Sequence, residues 1–270
     1  MLKLQEKMDL NLKNKTVLVT GGSLGIGRAT AELFIKEGCK VAICSRSQSN
    51  LIAAASEIKK FYNVEPLWVV CDLTKYSDIE NAVNVVKRNY GPIDILVNNV
   101  GGPIPGKFSE ISDEDWYKAF EQLLMSNVRM TKAVLPDMKE KNWGRIINVT
   151  SLSVKQPVDN LLLSNSLRSA VTAMAKTLSN EIGNYNITVN NVAPGYTLTG
   201  RLYELAVNKA KETGESHEHI LAKMSADVPL KRLARPDEIG SLIVFLASEQ
   251  ASFITGTTLL IDGGVVKSVS

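Results

Sequence analysis

Long apolar runs are missing from this 270-residue chain. Its apolar stretches are strand-length, whereas a membrane-spanning helix needs about 20 consecutive apolar residues, so no membrane span is expected. Cysteine is scarce: Cys39, Cys44 and Cys71 are the only three, with no CxxC spacing. That usage excludes a disulfide framework and reads as reduced, mostly buried thiols in a cytoplasm. Charge of one sign is also lacking. The net charge is +3, with Lys and Arg spread along the chain, so the basic stripe of a nucleic-acid binder is absent. Histidine occurs twice, at His217 and His219, too isolated from a third ligand for a metal site. The charged first 15 residues lack the apolar core of a signal peptide. Fold-like sequence starts near Leu12, which leaves 1–11 as an N-terminal extension and Met8 as an alternative start to Met1.

What is present is alternation. Apolar runs rich in Val and Ile stand at 16–20, 41–44, 67–71, 93–98, 145–150, 187–192 and 258–261, as strands buried on both faces should read. Helix-period stripes lie between them; Leu167, Ala170, Val171, Met174, Leu178 and Ile182 form one. Strict β–α alternation implies parallel strands with right-handed crossovers. With 44% hydrophobic content and no repeat or linker, the expectation is an α/β fold. It is a single-domain, Rossmann-type doubly wound parallel sheet of about seven strands over 12–270, with helices on both faces.

Ligands of such sheets bind beyond the carboxyl ends of the strands, so the residues that follow each strand matter most. After the first comes Thr20-Gly21-Gly22-Ser23-Leu24-Gly25-Ile26-Gly27-Arg28. Glycines there permit a tight turn and let the backbone approach a pyrophosphate resting on the helix N-terminus. The second strand ends in Cys44-Ser45-Arg46-Ser47, without the acid that would hold a ribose 2′-hydroxyl. Arg46 there can pair with a 2′-phosphate, which favours NADP over NAD.

The TGxxxGxG spacing resembles that of the classical short-chain dehydrogenase/reductases, most closely the 3-oxoacyl-acyl-carrier-protein reductases. Cys71-Asp72-Leu73, Asn98-Asn99-Val100-Gly101, Gly144-Arg145-Ile146-Ile147-Asn148, Asn190-Asn191-Val192-Ala193-Pro194-Gly195, Thr255-Gly256 and Asp262-Gly263-Gly264 carry the same resemblance, which covers about 12–265. It implies that Gly21, Ser23, Leu24, Gly25, Ile26 and Gly27 form the pyrophosphate turn and that Asp72, with Leu73 beside it, meets the adenine. It further implies that Asn98, Val100 and Gly101 face the adenosine ribose and nicotinamide, and that Pro194, Gly195 and Thr197 line the nicotinamide. The implied protein is an NADP(H)-dependent oxidoreductase acting on a carbonyl or alcohol, acyl thioesters among the candidates. A homodimer or homotetramer and a substrate lid at about 200–228 also follow from the resemblance.

The family's catalytic group is Asn, Ser, Tyr and Lys, and only one of the four is found here. Ser151 matches the Ser; thirteen residues on stands Ser164 where Tyr is usual, and four further Arg168 replaces Lys. The Asn position falls on Leu123, and none of the seven tyrosines has a Lys four residues later. A tyrosine, pKa about 10, can be brought toward working pH by a neighbouring cation; a serine hydroxyl lies much further away. Arg168 retains a positive charge for the ribose hydroxyls. Lys155, four residues past Ser151, is a substitute proton source; Tyr196, His217 and His219 are further candidates. The alternative is a catalytically silent nucleotide-binding protein, a sensor or assembly partner. The loop from Gly101 to Gly106, punctuated by Gly and Pro, is expected to shape the pocket.

Overall fold

The computed structural model describes residues 8–269. Most of the expected 1–11 extension therefore lies outside the described residues; Leu10 packs on the core, and its carbonyl accepts from Glu249 N–H. Seven strands form: β1 (Thr16–Thr20), β2 (Lys40–Ser45), β3 (Leu67–Val70), β4 (Ile95–Asn99), β5 (Gly144–Val149), β6 (Ile187–Pro194) and β7 (Thr258–Ile261). All neighbours pair in parallel, in the order β3-β2-β1-β4-β5-β6-β7. The order reverses between β1 and β4, which fixes the crevice where a ligand can enter. Short Val/Ile-rich runs become strands because β-branched side chains pack well on a pleated surface covered from both sides. The expected ends at 71, 93, 98 and 150 move by one or two residues, within the ordinary fraying of element boundaries.

Helices α1 (Gly25–Lys36), α2 (Gln48–Tyr62), α3 (Tyr76–Tyr90), α4 (Asp113–Ala119), α5 (Ser126–Glu140), α6 (Leu162–Ile182), α7 (Gly200–Thr213), α8 (His217–Asp227) and α9 (Pro236–Ala247) complete the molecule. One face of the sheet packs α1, α2 and α9 through a core that includes Val17, Phe34, Ile58, Ile95, Ile147 and Ile243. The other packs α3, α5 and α6 through Leu18, Ile79, Val86, Leu96, Met130 and Ile146. Each fully buried Leu, Ile or Phe contributes roughly 1.5–3 kcal/mol, so the two layers leave no half-solvated side to this sheet. Among the described residues, no helix is long and apolar enough to cross a membrane.

Two local features bear on the site. Between α4 and α5 the helix widens into a π turn, Phe120–Met125. Ser126 Oγ donates to Gln122 O at 2.5 Å and Asn127 Nδ2 to Leu123 O at 2.6 Å, side chains serving carbonyls that the widened turn leaves out of the α ladder. The second is a row of amides through the sheet. Asn98 Nδ2 donates to Asn148 Oδ1 at 3.0 Å, Asn148 Nδ2 to Asn191 Oδ1 at 3.0 Å, and Asn191 Nδ2 to Thr258 Oγ1 at 3.1 Å. These residues face one another in register across β4, β5, β6 and β7.

Candidate active site

The carboxyl ends of β1–β6 open into one cleft of about 1660 Å³. That is larger than the roughly 300–1,000 Å³ of a single drug-sized site and leaves room for a dinucleotide with a second small molecule.

The turn after β1 forms its floor. The residue before α1, Leu24, supplies no side-chain cap, and the first turn of α1 carries no acid. The helix therefore presents its N-terminal N–H groups and positive dipole end to an anion. Gly27 is what lets the turn close on β4: a Cβ there would collide with Gly21 O and stand 2.6 Å from Asn99 Nδ2. Asn99 is the clasp. Its N–H donates to Thr20 Oγ1 at 2.8 Å and its Nδ2 to Gly21 O at 3.2 Å.

Arg46, exposed, and Asp72 stand at the end formed by β2 and β3, on the wall of the cleft. Burial opposes the charge of Asp72. Hydrogen bonds from Thr74 N–H at 3.1 Å and Thr74 Oγ1 at 2.8 Å, with the Arg46 cation, still hold its carboxyl below the usual range. An ionised Asp72 beside a cation can accept from an amino group while Arg46 faces a phosphate.

At the opposite end, Ser151 follows β5. Its Oγ accepts from Ser153 N–H at 3.2 Å, which leaves its own proton available to the cleft. Ser164, in the first turn of α6, lines the same wall and is 6% exposed. Arg168, one turn further, is part-buried and spends its guanidinium on the backbone. Its Nη1 donates to Val149 O at 2.9 Å and Thr150 O at 3.1 Å, and its Nη2 to Val100 O at 3.2 Å. Burial, and after it the charge of Arg201, lower its pKa to about 10, still far above neutrality, so it remains a cation. It works as a clamp between the end of β5 and the loop after β4. The reason is geometric: a planar fork spreads its donors over separate nitrogens and reaches carbonyls of two segments, where an ammonium carries its three donors on one nitrogen.

The expected cofactor residues Gly21, Ser23, Leu24, Gly25, Ile26, Arg46, Asp72, Leu73, Val100, Gly101, Pro194, Gly195 and Thr197 all line this cleft, with Ser151, Ser164 and Arg168. Gly27 acts beneath the turn instead. Asn98 is corrected: it is 2% exposed, its amide is committed to Asn148, and the neighbouring Asn99 faces the cleft. Alternation along β4 puts one Asn in the sheet core and the next at the rim. Lys155 is also corrected. It ends the short turn Leu152–Val154 on the exposed side and does not line the cleft. His217 pairs with Tyr203 Oη at 3.1 Å and His219 with Glu215 at 3.2 Å, both outside the cleft wall. Tyr196 does line it, but burial, and then the charge of Asp227, raise its phenol pKa and make it a weaker acid.

Leu123 is 1% exposed and packs with Ala119, Leu163 and Leu167 under α6. The position has become part of a small apolar core. Sequence reading also missed Gln122, whose Nε2 donates to Gly101 O at 2.8 Å, and Arg201, whose Nη2 donates to Pro103 O at 2.6 Å. Arg201 carried a legible signal, a cation in the first turn of a helix that has no acid there.

Comparison with known proteins agrees with this geometry. A family model described as Enoyl-(Acyl carrier protein) reductase matches residues 21–266. The oxidoreductase YvrD of Bacillus subtilis is 33% identical over 97% of this chain and 100% of its own length. Dehydrogenase/reductase SDR family member 4 of Oryctolagus cuniculus is 34% identical over 94% of each chain. Among solved structures, L-sorbose reductase of Gluconobacter frateurii, complexed with NADPH and L-sorbose, superposes with a TM-score of 0.91 at 33% identity, covering 97% of this chain and all of its own. Fold, cleft and relatives agree: the chain belongs to the short-chain dehydrogenase/reductase family of oxidoreductases.

Proposed function

We propose that the protein is an NADP(H)-dependent oxidoreductase of a small carbonyl or alcohol substrate, working without the family's tyrosine and lysine. One observation carries the reading: a single cleft joins an uncapped pyrophosphate turn, the Arg46 cation and the Ser151 hydroxyl. The residues fit the dinucleotide. Ser23, Leu24, Gly25 and Ile26 would hold its pyrophosphate, Arg46 its 2′-phosphate, Asp72 its adenine, and Pro194, Gly195 and Thr197 the nicotinamide side. When bound, NADPH supplies a hydride, which no amino-acid side chain can.

The chain's residues then have three tasks. Ser151, fixed by Ser153 N–H, directs its O–H at the substrate oxygen and polarises it. Arg168 positions the loop after β4 and the end of β5 around that oxygen and adds positive charge near it. Ser164 relays a proton from solvent, since its hydroxyl is too weak an acid to act alone. The helix pair α7 and α8 forms the cover of the cleft, with Arg201, Leu205 and Lys209 of α7 on its wall.

The silent nucleotide-binding alternative draws on the same cleft, because Ser164 and Arg168 stand where the family has its tyrosine and lysine, and Tyr196 on the wall is a weaker acid than usual. The test is NADPH oxidation with a panel of β-ketoacyl thioesters, aldoses, quinones and small ketones. Turnover that falls at least about tenfold in Ser151→Ala, as expected for losing roughly 1.4 kcal/mol of transition-state stabilisation, supports catalysis. Tight NADPH binding without oxidation above the blank overturns it in favour of the alternative.

A further inference from the structure

The inner end of the cleft holds two arginines, and among the described residues only Arg201 has an acid recorded against it, the long pair with Glu204. Arg168 makes three contacts, all with backbone carbonyl oxygens, and among the described residues no acid appears in its electrostatic surroundings. Arg201 engages the same loop, bonding Pro103 O three residues beyond Val100, whose carbonyl Arg168 holds. Its nearest acid, Glu204, stands 3.6 Å away and is 66% exposed, a weak surface pair. Like charges placed together cost free energy, and Arg201 depresses the pKa of Arg168. Arg201 also sits in the first turn of α7, where the helix dipole disfavours a cation and no acid offsets it.

The loop is shaped to admit the second guanidinium. A Cβ on Gly102 would stand 3.0 Å from both Nε and Nη2 of Arg201, so the group lies flat on the glycine backbone. Both arginines and Gly102 line the cleft beside Ser151. Positive charge held at a preformed cavity by carbonyls and one exposed carboxylate, without a buried counter-ion among the described residues, suits an anion.

We propose that the substrate is a short oxo acid, whose carboxylate is received by the Arg201 fork while its carbonyl meets Ser151. This rests on the oxidoreductase reading of the cleft. A guanidinium matches a carboxylate bidentately, and the Arg168 cation adds to the field without leaving its carbonyls. The pyrophosphate of the dinucleotide is the other anion that Arg201 could serve, and the experiment separates the two.

Wild-type protein loaded with NADPH is titrated with acetoacetate and with its neutral methyl ester, following thermal stabilisation and NADPH oxidation in parallel. The acid is expected to bind more tightly than the ester. Arg201→Gln lowers that preference by roughly 10- to 100-fold, as for loss of a hydrogen bond between charged groups. Arg201→Lys restores part of it. Gly102→Ala, which displaces the guanidinium but keeps its charge, reduces it as well. Stabilisation by the acid without NADPH oxidation upholds the anion site and fails the catalytic reading alone. Equal binding of acid and ester, or of neither, overturns the proposal. So does a loss of affinity for NADPH alone, read from its fluorescence, that matches the loss for the acid in Arg201→Gln.

Discussion

Replacing Arg168 by lysine looks like a return to the family pattern, yet the structure requires it to destabilise the protein. The guanidinium bridges two segments, with Val149 O and Thr150 O on one side and Val100 O on the other. An ammonium gathers its three donors on one nitrogen, without the spread of the guanidinium fork, and keeps fewer of these carbonyls in place. The variant forfeits at least one hydrogen bond from a charged group, worth about 1.5–3 kcal/mol. For a domain of this size each kcal/mol moves Tm by about 2–4 °C, so Arg168→Lys should melt about 3–12 °C below wild type. Arg168→Met leaves every one of these carbonyls without its donor and should melt lower still. Thermal unfolding followed by circular dichroism without added nucleotide isolates the clamp from any role toward ligand. If Arg168→Lys melts within about 1 °C of wild type, below the smallest shift a lost bond allows, the clamp is not holding the loop and the reasoning fails.

Two other outcomes test separate parts of the molecule. Gly27→Ala drives a methyl group into Gly21 O and Asn99 Nδ2, an overpacking cost of about 1–3 kcal/mol borne by the turn, and should weaken NADPH at least about fivefold; unchanged NADPH fluorescence titration would refute that account of the turn. Glu238 is held down to about 2 by the Arg232 side chain and by Arg235 N–H. Because its folded pKa lies below the ordinary 4.5, its contribution is present above that value and is lost as pH falls toward 2. Urea midpoints measured across this window should fall less steeply in Arg232→Ala, and an identical slope would contradict the assignment.

Much of this architecture was legible in the residues. Val/Ile runs at regular spacing located every strand, because side chains covered on both faces leave no polar alternation to confuse. The glycine turn after β1 was legible because Gly21, Gly22 and Gly27 sit where a Cβ finds no room. What the chain does with direction was not. Asn98 and Asn99 are adjacent and chemically identical, and only the pleat decides that one enters the core and the other the rim. Lys155 reads as a neighbour of Ser151, but a short helical turn carries it out to solvent. The π turn at Phe120–Met125 leaves no periodic mark, since it depends on Ser126 and Asn127 reaching back to particular carbonyls. Arg168 was expected at the ribose because a charge was counted there; which carbonyls would engage it required the loop and β5 in three dimensions.

The row of amides through Asn98, Asn148, Asn191 and Thr258 gives the two halves of the sheet different tolerances for error. A slip of one residue in a parallel pair sends each side chain to the opposite face. Between β1, β2 and β3 such a slip exchanges one aliphatic surface for another, since Val17, Leu18, Val19, Ala42 and Ile43 are apolar in either direction. Between β4 and β7 it would strand several amides in hydrocarbon, each at a cost of about 1–3 kcal/mol. Alignment is therefore proofread in the half that carries Ser151 and tolerated in the half that carries Arg46 and Asp72, so spatial fidelity is unevenly divided between the two ends of one cleft.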